Sequence, residues 1–191
     1  MINLQKGQKV DIGLSRINVG LGWSPNAGTG ADFDLDASAF MLDANRHLVS
    51  ESHFIFYNNT TDPEASMKHS GDDPTGGNST GGDDEVLELE LDKVSAAVQE
   101  IVFVVTIHDF VARKQNFGQV RGSYIRLLDT VKAEEIAKYE LDEDFSVETA
   151  VEFGRLYRRD GKWRFEASGI GYREDLTFFL TRYAPNVKVV K

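Results

Sequence analysis

The chain of 191 residues has no cysteine. That excludes disulfides, thiolate nucleophiles, iron–sulfur clusters and cysteine-bound zinc, and it fits a reducing cytoplasm. Basic residues are also short: 21 Lys and Arg face 31 Asp and Glu, a formal net charge of −10. A surface of that sign argues against nucleic acid, whose binding rests on Lys and Arg neutralising phosphates. Apolar runs are brief. The longest, Ile101 to Val105, falls far below the ~20 apolar residues that a membrane-crossing helix needs. Met1 to Leu14 alternates polar and apolar residues and lacks the continuous apolar stretch of a signal peptide. The expectation is a cytoplasmic protein with no transmembrane segment, free at most to associate with a membrane surface. A chain of this length is expected to form one domain over 1–191 and to bury around 70% of its unfolded surface.

What the sequence has in excess is acid, and it is concentrated. Residues 32–36 read D-F-D-L-D, and residues 72–92 hold eight more acids without one Lys or Arg. These two segments carry eleven of the 31 acidic residues, and the rest of the chain is close to neutral. Crowding carboxylates is costly: two unit charges ~5 Å apart at an effective dielectric of ~20 repel by about 3 kcal/mol. A cation among them would relieve this. Hard oxygen donors on Gly-rich turns point first to Ca²⁺, which takes about 6–8 oxygens from carboxylates, amide and backbone carbonyls and water.

The pattern of the chain is mainly β. Lys9 to Leu14 and Ile17 to Trp23 read as two strands joined by a tight turn. Phe33, Leu35, Ala37, Ala39 and Met41 alternate with their neighbours at strand period. Phe54 to Tyr57, Val86 to Leu91, Ser123 to Leu128 and Ala137 to Leu141 read as further strands, and Asp92 to Val98 as one or two helical turns. Ile101 to Ile107, apolar on both faces, predicts a central buried strand. Asp160-Gly161 between two such runs predicts a hairpin of Ala150 to Arg158 with Lys162 to Ser168. Arg173 to Tyr183 carries Leu176, Phe179, Leu180 and Tyr183 on one helical stripe ahead of Pro185. The fold expected is a two-sheet β-sandwich with a few short helices, one of them near the C-terminus.

On such a strand Asp32, Asp34 and Asp36 share one side, ~6.6 Å apart in succession. Further along, that same side becomes apolar at Phe40 and Leu42, so the acids belong at the open end. Asn58 and Asn59 end a neighbouring strand, and the 69–85 loop offers Asp72, Asp73, Asp83, Asp84 and Glu85. Two readings stay open on these residues: a cation site with enough carboxylate for two ions, and a solvated acidic face. The spacing is not an EF-hand, because the sixth and twelfth positions are Ala37 and Asp43. A literal G-x-S-x-G at 77–81 lies in a polar loop, not between a strand and a helix, so it is no nucleophile elbow. Of the four histidines, only His108 falls near the acidic strand end.

Taken together, G-W-S-P-N at 22–26, D-F-D-L-D-A-S-A-F-M-L-D at 32–43, F-Y-N-N at 56–59, H-S-G-D-D at 69–73, G-D-D-E at 82–85, F-G-Q-V at 117–120 and S-Y-I-R-L at 123–127 resemble the TerD family of tellurium-resistance and stress-response proteins. The resemblance runs from Lys6 to about Ala184. It implies a β-sandwich that binds Ca²⁺ through acidic loops, a cytoplasmic location and no established catalytic activity. The acidic positions it carries over are Asp32, Asp34, Asp36, Asn58, Asn59, Asp72, Asp83, Asp84 and Glu85, with Asp73 the weakest match. Tellurite is an anion whose reduction usually wants thiols, so a thiol-free, acidic chain is ill suited to bind or reduce it. The expectation is a Ca²⁺-dependent interaction module that contacts a partner protein or an inner-membrane surface. The alternative is a metal-dependent hydrolase, which would need a base and a substrate cleft beside the ion.

Overall fold

The computed structural model describes residues 6–11, 13, 15–77 and 82–185. Residues 12 and 14, in the first predicted strand, lie outside them, as do 78–81, which hold most of the literal G-x-S-x-G. Two antiparallel sheets form the structure. One runs β1 (Lys9–Asp11), β11 (Lys162–Glu166), β10 (Ala150–Arg159), β7 (Glu100–Ile107), β3 (Leu35–Leu42), β4 (Phe54–Ile55), with β12 (Ile170–Tyr172) also paired to β10. The other runs β5 (Met67–His69), β6 (Glu85–Glu90), β2 (Arg16–Gly22), β8 (Tyr124–Asp129), β9 (Glu134–Glu140). Single turns of helix, α1 (Phe110–Arg113) and α2 (Leu141–Asp144), and a longer α3 (Leu176–Tyr183) complete it.

Side-chain alternation explains the layering. On β3, Leu35, Ala37, Ala39 and Met41 enter the core between the sheets, where they meet Ile17, Val19 and Leu21 of β2 and Ile101, Phe103 and Val105 of β7. The alternate residues Phe40 and Leu42, with Val102 and Val104, form a second cluster on the outer face, covered by Phe179 and Tyr183 of α3. β7 is therefore buried on both faces over all eight residues, as the apolar run Ile101 to Val105 at its centre requires. α3 covers one end of β3. At the other end, on the same outer row as Phe40, stand Asp34 and Asp36.

Several expectations are corrected. β1 and β2 are not a hairpin: β1 pairs with β11 and β2 lies between β6 and β8 in the opposite sheet. Leu141 starts α2 instead of ending a strand. α3 starts at Leu176 and not at Arg173, because Asp175 caps it and accepts from the Thr177 amide. Asp92 to Val98 supplies only the end of a 3-10 turn, Leu91–Lys93. β5, β12 and α1 are three or four residues long, too short for any period to register.

Candidate metal centre

The first acidic segment and the 69–85 loop do meet. Asp34 and Asp36, at the start of β3, and Asp72, from the loop after β5, bring carboxylate oxygens within 4.8 Å of one another. Asp34 and Asp36 are 8% and 4% exposed, and Asp72 is exposed. Burial pushes the Asp36 carboxyl up to about 8, with the Glu85, Asp34 and Asp72 charges adding to the rise. Burial raises Asp34 as well, held back by His108 and Arg113. The same carboxylates, after burial, raise the Tyr57 phenol. Among the described residues no group donates a hydrogen bond to Asp36, and the His108 ring lies beside it, with Nδ1 3.9 Å from Oδ2. Burying carboxylates beside one another is costly, so these three acids form a candidate metal group.

The segment after β7 leans over these acids. Arg113 Nη1 lies 3.4 Å from Asp34 Oδ2 and donates to the Asp32 carbonyl at 3.2 Å. Gln115 Nε2 donates to the Ala31 and Asp32 carbonyls at 3.0 and 3.1 Å. The turn that carries Arg113 is bracketed by two non-glycine residues with left-handed backbone, Asp109 (φ 53°) and Lys114 (φ 54°). Such residues are uncommon and store strain.

The second acidic segment is differently engaged. Asp83 receives Arg126 through Nε at 2.8 Å and Nη2 at 3.1 Å, and the Tyr124 hydroxyl at 2.9 Å. Gly20 makes room for it, since a Cβ there would collide with the Asp83 carboxylate. Asp84 Oδ2 accepts from the Trp23 amide at 2.8 Å. Glu85 is fully buried: Oε2 accepts from the Ala37 amide at 2.8 Å and Oε1 from the Asp73 amide at 3.3 Å. The Gly71 amide donates to His69 Nδ1, so the ring proton sits on Nε2, which faces the Ala37 carbonyl at 3.1 Å and Glu85 Oε2 at 3.5 Å. Burial raises Glu85, and these hydrogen bonds oppose the rise. Glu85 thereby fastens the loop carrying Asp72 to β3. Asp73 Oδ1 closes the next turn through Thr75 and Gly76.

Although 72–92 contains no Lys or Arg, bases from elsewhere in the chain reach the acids: Arg126 holds Asp83, and Arg113 reaches Asp34. Asp32 is exposed and outside the three-carboxylate group, offering its backbone carbonyl to Arg113 and Gln115. Asn59 Nδ2 donates to the Ser52 and Phe54 carbonyls at 3.2 and 2.7 Å, tightening its turn, and Asn58 is exposed on that turn. Arg113, His69 and Tyr57 were not singled out from the sequence. Only the topology that folds residues 57, 69 and 113 against β3 reveals them.

A two-sheet sandwich with a carboxylate group where a strand meets its loops defines the class of protein. The chain belongs to the TerD family: the TerD domain model matches residues 1–183. It is 46% identical over 190 residues to "Tellurium resistance protein TerD" of Serratia marcescens, covering 97% of this chain and 98% of that protein. It is 47% identical over 192 residues to "General stress protein 16U" of Bacillus subtilis (strain 168), covering 97% and 98%. The fold is also that of a crystallised homologue of telluride resistance protein (TerD) from Streptomyces coelicolor A3(2), with TM-score 0.75 at 22% identity, covering 87% of this chain and 95% of that one.

Proposed function

We propose that the chain is a Ca²⁺-binding module that serves tellurite resistance and the stress response through a Ca²⁺-dependent contact with a partner protein or an inner-membrane surface. The observation that carries this reading is Asp36, buried to 4% exposure, receiving no hydrogen bond from any described residue and facing Asp34 and Asp72. The donor set is all carboxylate, which suits a hard cation and gives a softer metal no nitrogen or sulfur. Asp34, Asp36 and Asp72 would hold the ion, and its charge would offset theirs. The described residues gather one such group, so the reading narrows from two ions to one, with Asp83, Asp84 and Glu85 as the frame around it. Among the described residues no helix is long and apolar enough to cross a membrane, so a membrane contact would be made at the surface. No observation favours the hydrolytic alternative.

Calorimetric titration with Ca²⁺ and Mg²⁺ tests the reading. Ca²⁺ should bind at one site and Mg²⁺ much more weakly, since Mg²⁺ demands near-ideal octahedral geometry at ~2.0–2.1 Å. Asp36→Asn should remove the Ca²⁺ signal. Complete displacement of Ca²⁺ by millimolar Mg²⁺, or no signal at all, would overturn it.

A further inference from the structure

Beside the carboxylate group a cavity of about 390 Å³ opens under the first half of α3, along the outer face of the seven-stranded sheet. That volume lies in the range of small-molecule sites, roughly 300–1,000 Å³. Its walls are apolar and largely aromatic: Phe54, Phe56 and Tyr57 on one side, Ile107, Phe110 and Leu180 on the other. Three of its four titratable non-phenolic lining groups are carboxylates, Asp36, Asp109 and Asp175, and the fourth is His108. Asp36 is the buried one, and no described group donates a hydrogen bond to it.

We propose that this cavity binds a small organic cation, an amine carried on an aromatic or branched aliphatic body. Carboxylates lining a cavity with aromatic walls select this chemistry by complementarity. The ammonium would gain charge-assisted hydrogen bonds from the carboxylates and attraction from the ring faces, while the body fills the apolar channel. A neutral body of the same shape would make no charge-assisted contact with the lining acids, and an anion would meet carboxylates of like sign. The inference does not require the metal ion, but it shares Asp36 with it. The amine and Ca²⁺ therefore weaken each other's binding, by the same factor in both directions.

The test uses the full chain, freed of metal with a chelator, and three probes of one shape: phenethylamine, 2-phenylethanol and 3-phenylpropionate. In amide-resolved NMR titrations the amine should shift residues 54–57, 106–111 and 175–180 and bind at least about tenfold more tightly than the alcohol, a difference of about 1.4 kcal/mol. The carboxylate should produce no such shifts. Asp109→Asn, which keeps the left-handed backbone because Asn tolerates it, should weaken the amine several-fold. Leu180→Trp should fill the cavity and abolish amine binding, and if it fails to fold, Asp109→Asn decides alone. Equal binding of amine and alcohol, shifts centred elsewhere, or an unchanged Asp109→Asn would overturn the proposal. So would a carboxylate probe that binds once Ca²⁺ is added, which would identify an anion bridged to the ion. Amine binding without any calorimetric Ca²⁺ response would sink the metal assignment alone, and the reverse would sink this inference alone.

Discussion

The two groups of acids, 83–85 and 34, 36 and 72, are engaged in different ways. At 83–85 each carboxylate accepts hydrogen bonds from backbone amides or from Arg126 and Tyr124, so the acids work as fastenings between strands and loops. At 34, 36 and 72 the carboxylates face each other, and the nearby basic groups are Arg113, 3.4 Å from Asp34, and the His108 ring, 3.9 Å from Asp36. Charge density alone does not mark a cation site. What singles out 34, 36 and 72 as the candidate is close carboxylates, one of them buried and given no donor by the described residues.

This contrast is broken most sharply by removing one acid from each group. Asp83→Ala should leave Arg126, one quarter exposed, without its bidentate partner. Loss of a buried pair costs about 3–5 kcal/mol, and partial exposure lowers this to roughly 2–3 kcal/mol. The melting temperature should fall by roughly 5–10 °C, equally with and without Ca²⁺, as calorimetry can check. Asp36→Asn should do the reverse. Without metal it should melt no lower than the unmodified chain, because a repelling buried charge is gone. It should also lose the Ca²⁺-induced rise, which at 100 times the dissociation constant is about 2.7 kcal/mol, or roughly 5–11 °C.

A pH series sharpens the same point. Asp36 has a folded-state value raised from 3.8 to about 8. A raised acid binds its proton more tightly when folded, so its contribution is fully present below about pH 4 and is lost as pH climbs through about 8. Metal-free stability from this group should therefore decline from pH 4 to 8, and Asp36→Asn should flatten that slope in melting curves. Ca²⁺ affinity should move the other way and weaken as pH falls below 8. A smaller effect is expected at the rim. Arg113→Gln removes a cation that competes for Asp34, a contact worth roughly 0.5–1 kcal/mol, so Ca²⁺ should bind about two- to fivefold more tightly in calorimetric titration.

Much of the frame was legible because it is periodic. The alternation along 33–42 announced β3 and located its acids at the open end, and the apolar run 101–107 announced the central strand. Asp160-Gly161 likewise marked the β10–β11 hairpin, observed from Arg159↔Lys162 onward. The β1–β2 relation was illegible because nearness in sequence favours a hairpin, whereas here the chain crosses from one sheet to the other. The split between the acids was hidden for a similar reason. Arg126 meets Asp83 across 43 positions and Arg113 meets Asp34 across 79. Composition within a segment carries no record of such pairs. The amide partners of Glu85 were equally illegible, because a buried glutamate under two backbone amides looks, in sequence, like any acid beside a Gly-Asp-Asp turn.

The most direct test is Ca²⁺ calorimetry on Asp72→Asn. Asp72 is exposed, so its replacement leaves the folded frame intact, yet it completes the three-carboxylate group. The metal-free variant should melt at the temperature of the unmodified chain and show at least about a tenfold loss of Ca²⁺ affinity, the effect of roughly 1.4 kcal/mol. Unchanged Ca²⁺ affinity in that variant, with binding lost instead in Asp83→Ala, would place the ion at 83–85 and contradict the account.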